Sequence, residues 1–332
     1  MPESEFSLPM LSFRAMGCEM VAVLSAPFNA QSEALLAQVP LWFAHWERIF
    51  SRFRTDSELS RVNTHSGELV TVSAEFLTVV QQALAVAEQT GGLLTPLVGQ
   101  AVVDTGYDRD FAELRAQLNG CGSHTGAAVG NGTIADWRAV ICDVQAMRIQ
   151  IPQGSRLDLG GFVKGWCADE VVRRLKPFAP VLMDAGGDVA VSGPMADGHA
   201  WPVAIAKPFD ESQPDDDLAL IAVRHGGVAT SGRDYRHWLR NGKVQHHIID
   251  PRTAQAAQTD VVSVSVWASS AWQAEMWAKR LLIVGSEQAL VQMKNTDALG
   301  MIGACLVLEN GEVVMNQTFE RCLLAPLSIS IE

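Results

Sequence analysis

The chain has 332 residues, and 25 Lys and Arg against 37 Asp and Glu give a net charge of −12 with histidine neutral, at 48% hydrophobic and 19% charged residues. That length suits one large domain or two fused lobes with ample residues for a core, and the composition excludes a disordered or collagen-like chain. The acidic balance, with no Lys/Arg-rich block, argues against nucleic acid and against an anionic membrane surface as partners.

In chain order, Met1-Pro2-Glu3-Ser4-Glu5 carries acidic residues where a secretory signal carries Lys or Arg, and no apolar segment follows before Phe13. A cytoplasmic location is the expectation from that start. Apolar alternation over Leu11–Leu24 predicts strand structure, and a helix is expected over roughly 31–50. The clearest helix starts at the N-cap Ser73, runs through Phe76, Val79, Val80, Ala83, Leu84 and Ala87, and stops at Gly91-Gly92. Five glycines between Asn119 and Gly132, and the acidic stretch Asp210–Asp217, predict exposed loops over 119–132 and 210–217. Short β-branched or apolar runs at 138–142, 181–183, 203–206, 219–223 and 261–267 predict strands. Further helices are expected over 165–176, 270–284 and 286–294. Strands and helices mix without strict alternation, so an α+β fold fits better than a doubly wound parallel sheet. The longest apolar runs, such as Val261–Val266 and Leu281–Val284, are far short of the ~20 residues of a spanning helix, so no membrane insertion is expected. Six scattered cysteines with no CxxC predict reduced thiols, mostly in the core.

Neither GxGxxG after a strand nor GxxxxGK[ST] occurs, which weighs against Rossmann and P-loop folds. HExxH, GxSxG and zinc-spaced Cys/His sets are also missing from the sequence. The chemistry is sought in four other clusters. Asp158-Leu159-Gly160-Gly161-Phe162-Val163-Lys164-Gly165 is expected to join a strand end to a helix. Close-approaching backbone N–H groups, the positive helix start and Lys164 would suit an anion there, but a glycine turn with a solvated lysine is equally open. Met183-Asp184-Ala185-Gly186-Gly187-Asp188-Val189 suits either a hairpin turn or close approach of a ligand to backbone, with the hairpin favoured. Ala229-Thr230-Ser231-Gly232 and Gln245-His246-His247-Ile248-Ile249-Asp250-Pro251-Arg252-Thr253 gather polar groups. A histidine beside an aspartate at a strand end is a candidate general base, because imidazole titrates near neutrality and a carboxylate raises its basicity. On the helix Ser270–Leu282, Glu275 and Lys279 lie one turn apart and read by default as a surface ion pair worth ~0.3–0.5 kcal/mol.

Taken in this order, the clusters resemble the FAD:protein FMN transferase (ApbE) family over about residues 11–285. The likeness also rests on Met16-Gly17, on Phe50-Ser51-Arg52-Phe53-Arg54 followed by Asp56-Ser57-Glu58-Leu59-Ser60-Arg61-Val62-Asn63, and on Thr90-Gly91-Gly92 leading to Pro96-Leu97-Val98-Gly99. The resemblance implies a single ApbE-like domain over 1–332, an α+β fold of mixed sheets and packed helices in two closely associated lobes. It implies FAD as substrate and Mg2+-dependent movement of FMN onto a Thr or Ser hydroxyl of an acceptor flavoprotein, with AMP released. By position, His247 matches the family's catalytic histidine and Lys164 the charge that neutralises the pyrophosphate. Met16, Phe53, Lys164, Asp188, Thr230, Ser231 and His247 fall in motifs that line the flavin or adenine pocket.

The resemblance places the metal on Glu275 and on the backbone carbonyl of Val163, with Lys279 where the family has a threonine. Glutamate still ligates Mg2+, but an ammonium puts positive charge where the cation belongs. Thr95, Phe53 and Ala254 also depart from the family pattern, where Asp, Tyr and Gly are common. Two alternatives to transfer follow: an FAD-binding carrier or sensor that has lost the transfer step, and a pyrophosphatase giving FMN and AMP.

Overall fold

A computed structural model describes residues 8–120, 132–208 and 217–325. An antiparallel sheet of eight strands forms its backbone, in the spatial order Met10–Ala15, Cys18–Leu24, Val181–Ala185, Val189–Val191, Gly226–Gly232, Val261–Ala268, Gly303–Leu308 and Val313–Met315. The alternation in Leu11–Leu24 becomes a hairpin. Ala15 pairs with Cys18 across Met16-Gly17, both at positive φ (50° and 70°), the geometry whose twist matches paired strands.

Helices cover one side of the sheet. Val163–Leu175 packs on Val181–Ala185, and Ala271–Val284 on Gly226–Gly232 and Val261–Ala268. Strand period explains the division: Val264, Val266 and Ala268 pack with the second helix, while Trp267, one residue out of phase, joins the cluster of Trp201, Ile205 and Ile221 from the hairpin Trp201–Ala206 with Asp217–Val223. Phe43, Trp46, Phe50 and Phe76, from the helices Val39–Phe50 and Ala74–Gln89, form the aromatic heart of the N-terminal half.

The Ser73 start is as expected, with its hydroxyl accepting the Phe76 N–H at 3.2 Å. Three expectations are corrected. The helix over 31–50 is two helices, Ala30–Leu36 and Val39–Phe50, because Pro40 has no N–H to continue a helix and suits only a first turn. The strand at 138–142 is a 3-10 turn, Trp137–Ala139, followed by the short strand Ile141–Asp143. The glycine loop follows no strand: Leu157–Phe162 is irregular, and Asp158 donates its N–H to Pro96 O at 2.8 Å. Of the two expected loops, 121–131 and 210–216 lie outside the described residues, Asn119-Gly120 end the helix Phe111–Gly120, and Asp217 starts a strand. No helix among the described residues is long and apolar enough to cross a membrane.

Candidate functional site

The open end of the sheet carries a cleft of about 1280 Å³. The residues that the resemblance assigns to the site line it: Met16, Phe53, Val163, Lys164, Asp188, Thr230, Ser231, His247 and Glu275, whereas His246 and Asp250 do not. They come from seven separate stretches of chain, so the cleft is a product of the tertiary fold.

At one end, the glycine loop enters the helix Val163–Leu175, which sets Lys164 in its first turn. Lys164 pairs with Asp188, which is 2% exposed. Burial lifts the Asp188 carboxyl to about 6, against the pull of Lys164 and with a further push from Glu275. Burial works against the Lys164 ammonium, but Asp188 and Glu275 outweigh it and hold its pKa above the ordinary value, so the pair is ionic at neutral pH. Asp188 closes a two-residue turn on Gly186-Gly187, both at positive φ, with Ala185 N–H donating to Asp188 O at 2.9 Å. The hairpin reading and the ligand-approach reading of this cluster are compatible: the turn is a hairpin, and it faces the cleft. A side chain at Gly186 would drive its Cβ to 2.6 Å from the Cys18 Cβ.

The aromatic wall holds residues that received no role from the sequence. The Arg52 guanidinium lies 4.3 Å from the Phe53 ring centre and 4.2 Å from that of Tyr107. It donates to Tyr107 O at 2.6 Å and approaches Asp158 at 3.4 Å. Tyr107 in turn packs on Trp238 and, edge to face, on His247. Cation–π stacking in a half-buried place fixes the Phe53 ring. Nothing in the spacing around Tyr107 announces this. Arg236 is another missed cation, donating to the Cys18 Sγ at 2.9 Å within the cleft.

The expected carboxylate support for a histidine base is corrected. Asp250 turns away and binds Arg252 through both oxygens, at 2.9 and 2.8 Å. Among the described residues, no acidic group acts on His247. Burial, with Arg236, His246 and Lys279 nearby, holds its pKa well below the ordinary histidine value of 6.5. Its Nδ1 is buried and has no hydrogen-bond partner among the described residues. A neutral imidazole with an unmet ring nitrogen is equipped to take a proton from a group that enters the cleft. Thr230 Oγ1 and Ser265 Oγ share a hydrogen bond at 2.8 Å across neighbouring strands.

The surface ion pair expected at Glu275 and Lys279 is also corrected, because the helix face that carries it packs under the glycine loop. Glu275 is 1% exposed and the Lys279 side chain 17%. Glu275 Oε1 accepts from Lys279 Nζ at 2.9 Å, and Oε2 accepts from the Gly165 N–H at 3.1 Å. Glycine is required at 165, since a Cβ there would sit 2.8 Å from the Ala271 backbone.

A Mg2+ ion on Glu275 and the Val163 carbonyl does not fit this arrangement. Both Glu275 oxygens already accept hydrogen bonds, and among the described residues no three His, Cys, Asp or Glu side chains gather to hold a metal. An ammonium about 4 Å from a divalent ion repels it by roughly 8 kcal/mol at an effective dielectric of about 20, a cost that falls on a site offering one carboxylate and one carbonyl.

Comparison with known proteins gives a consistent result. Residues 16–302 match the ApbE family. The FAD:protein FMN transferase of Treponema pallidum is 31% identical over 303 residues, spanning 84% of this chain and 80% of its own. That of Salmonella typhimurium is 30% identical over 249 residues, spanning 73% and 68%. Among solved structures, the ApbE protein of Thermotoga maritima superposes with a TM-score of 0.79 at 26% identity, covering 95% of this chain and 99% of that one. The flavin transferase ApbE of Vibrio cholerae follows with a TM-score of 0.73 at 26% identity, covering 96% and 99%.

Proposed function

The chain belongs to the ApbE family, and from that membership we propose that it is an FAD:protein FMN transferase. It moves FMN from FAD onto a Thr or Ser hydroxyl of an acceptor flavoprotein and releases AMP. One observation carries the reading: a single cleft joins the lysine-bearing glycine loop, a neutral buried histidine and an aromatic wall.

In this reading Met16 and Phe53 contact the ring systems of FAD, with Thr230 and Ser231 offering hydroxyls beside them. Lys164 faces the pyrophosphate. It is held by Asp188 through one donor, which leaves the rest of its ammonium for phosphate oxygens. His247 takes the proton of the acceptor hydroxyl as that oxygen bonds to the FMN phosphorus. The bond to the AMP phosphate breaks, and its electron pair leaves with AMP. The whole chain works as one unit, a view supported by Trp272, which packs against both the N-terminal and C-terminal cores. No step is assigned to Mg2+, because the Glu275 and Val163 positions do not suit it.

The test is incubation with FAD and a Thr- or Ser-bearing flavoprotein peptide, following AMP and the mass of the peptide. His247→Asn is expected to lower kcat by about 10²–10⁴ while FAD affinity is retained. Because the His247 pKa is depressed, the acid limb of kcat/KM is expected below pH 6.5. Binding of FAD with neither AMP nor modified peptide would identify a carrier or sensor. AMP released equally with and without peptide would identify a pyrophosphatase.

A further inference from the structure

Lys279 occupies a particular place in the cleft. Its Cε lies 3.1 Å from where a Gly161 side chain would begin, so the aliphatic stem runs against the glycine loop itself. Its ammonium is fixed by Glu275, whose other oxygen is tied to the Gly165 N–H at the start of the loop helix. Lys279 is also close enough to Asp188 and His247 to shift both electrostatically, so one charge lies within reach of the lysine pair and of the imidazole. Residues of this kind do not usually leave water, and here the burial is specific: the carboxylate is almost fully buried and the lysine side chain keeps partial access on the cleft side.

We infer that the Lys279 ammonium, oriented by Glu275, is a built-in cation that grips the FAD pyrophosphate at the glycine loop, in the position where the family resemblance calls for a divalent ion. This rests on the transferase reading for the identity of the ligand. An ammonium has three donors; Glu275 takes one, and the other two are available to phosphate oxygens on the opposite side. Glu275 keeps the role of a ligand, but what it holds is covalently attached to the chain. Together with Lys164 from the loop helix, Lys279 places positive charge on two sides of the same space, as a metal and a lysine would. Lysine supplies a point charge and not a Lewis acid, so charge neutralisation and positioning are what it replaces.

The test separates binding from turnover. FAD and riboflavin affinities are measured by flavin fluorescence in EDTA and in millimolar Mg2+, for wild type, Lys279→Met, Lys279→Arg and Lys279→Thr, with AMP release in the presence of the acceptor peptide followed in parallel. Riboflavin lacks phosphate and reports the integrity of the flavin pocket. Wild-type affinity for FAD is expected to change less than about twofold between EDTA and Mg2+. Lys279→Met is expected to weaken FAD about tenfold, the scale of one charge-assisted contact, with riboflavin unaffected and Lys279→Arg close to wild type. Lys279→Thr is expected to bind FAD more tightly when Mg2+ is added. Three outcomes overturn the inference: EDTA weakening FAD binding or stopping AMP release in the wild type, with Mg2+ restoring either; Lys279→Met binding FAD as tightly as wild type; or Lys279→Met losing FAD and riboflavin to the same extent. If the affinities behave as expected and no AMP forms under any condition, the cation role stands and the transferase reading falls.

Discussion

Ala254 stands where the family pattern has glycine, and its backbone shows the cost. Its φ is 54°, in the left-handed region, and the residue is 4% exposed in a turn closed by its N–H on Asp250 O at 2.9 Å. That conformation costs an L-residue about 1–2 kcal/mol, and glycine returns roughly 0.5–1 of this through its larger unfolded-state entropy. Ala254→Gly is therefore expected to raise stability by about 0.5–1 kcal/mol, read as a higher urea midpoint at unchanged slope. An unchanged or lower midpoint would show that the packing of the buried methyl outweighs the strain. The neighbouring Asp250 shows why residue roles are harder to read than residue types. His247 and Asp250 are three apart in sequence, but Arg252 is two from Asp250 and takes both its oxygens. Proximity along the chain lists the partners of a carboxylate without choosing among them.

At the scale of elements, two helices carry Lys164, Glu275 and Lys279 of the cleft, and Asp169 fastens one to the other. From the helix Val163–Leu175 it accepts the N–H groups of Ala271 and Trp272, at 3.0 and 2.9 Å, two of the donors that the start of Ala271–Val284 leaves unmet. Asp169→Ala is expected to cost about 1–2 kcal/mol and to loosen the registry of Lys164 against Glu275. Asp169→Asn keeps one acceptor and should lose less. The difference carries a sign in pH. Burial raises the Asp169 carboxyl to about 6, so between its ordinary value near 3.8 and 6 the native state binds the proton that the unfolded chain releases, and stability falls as pH rises through that window. Asparagine does not titrate, so Asp169→Asn should gain on wild type from pH 4 to pH 6 in parallel denaturation curves. A constant gap would mean that the carboxyl is not perturbed. Helices were legible from apolar spacing, and the clearest of them also from its N-cap Ser73. The strand expected before the glycine loop was not, because a short alternating stretch such as Leu157-Asp158-Leu159 looks alike whether it pairs in a ladder or is buried as irregular chain.

At the scale of the molecule, His246 links folding to pH. Its Nε2 faces Ala257 O at 3.0 Å, which only a donor can satisfy, and its Nδ1 accepts the Ile248 N–H at 3.3 Å, so the neutral ring is matched on both sides. Burial first, with Arg233 and His237 adding to it, lowers its pKa to about 4. A depressed histidine contributes stability that is complete above pH 6.5 and is lost as pH falls toward 4, about 3 kcal/mol in all. Asp169 and Asp188 titrate in the opposite sense, so the expectation concerns the stability difference between wild type and His246→Gln, which should shrink from pH 7 to pH 4. A pH-independent difference would count against it. Composition, periodicity and capping residues alone determined the α+β class and most elements, and six ordered motifs determined the family, because these are local properties that each segment carries with it. Tertiary structure alone decided that Glu275 is buried, with Lys279 beside it, beneath a glycine loop more than a hundred residues away, that Tyr107 backs the Phe53 wall, and that no carboxylate among the described residues supports His247. Burial and partner choice depend on what the rest of the chain packs against each side chain, and spacing along a helix holds no record of that.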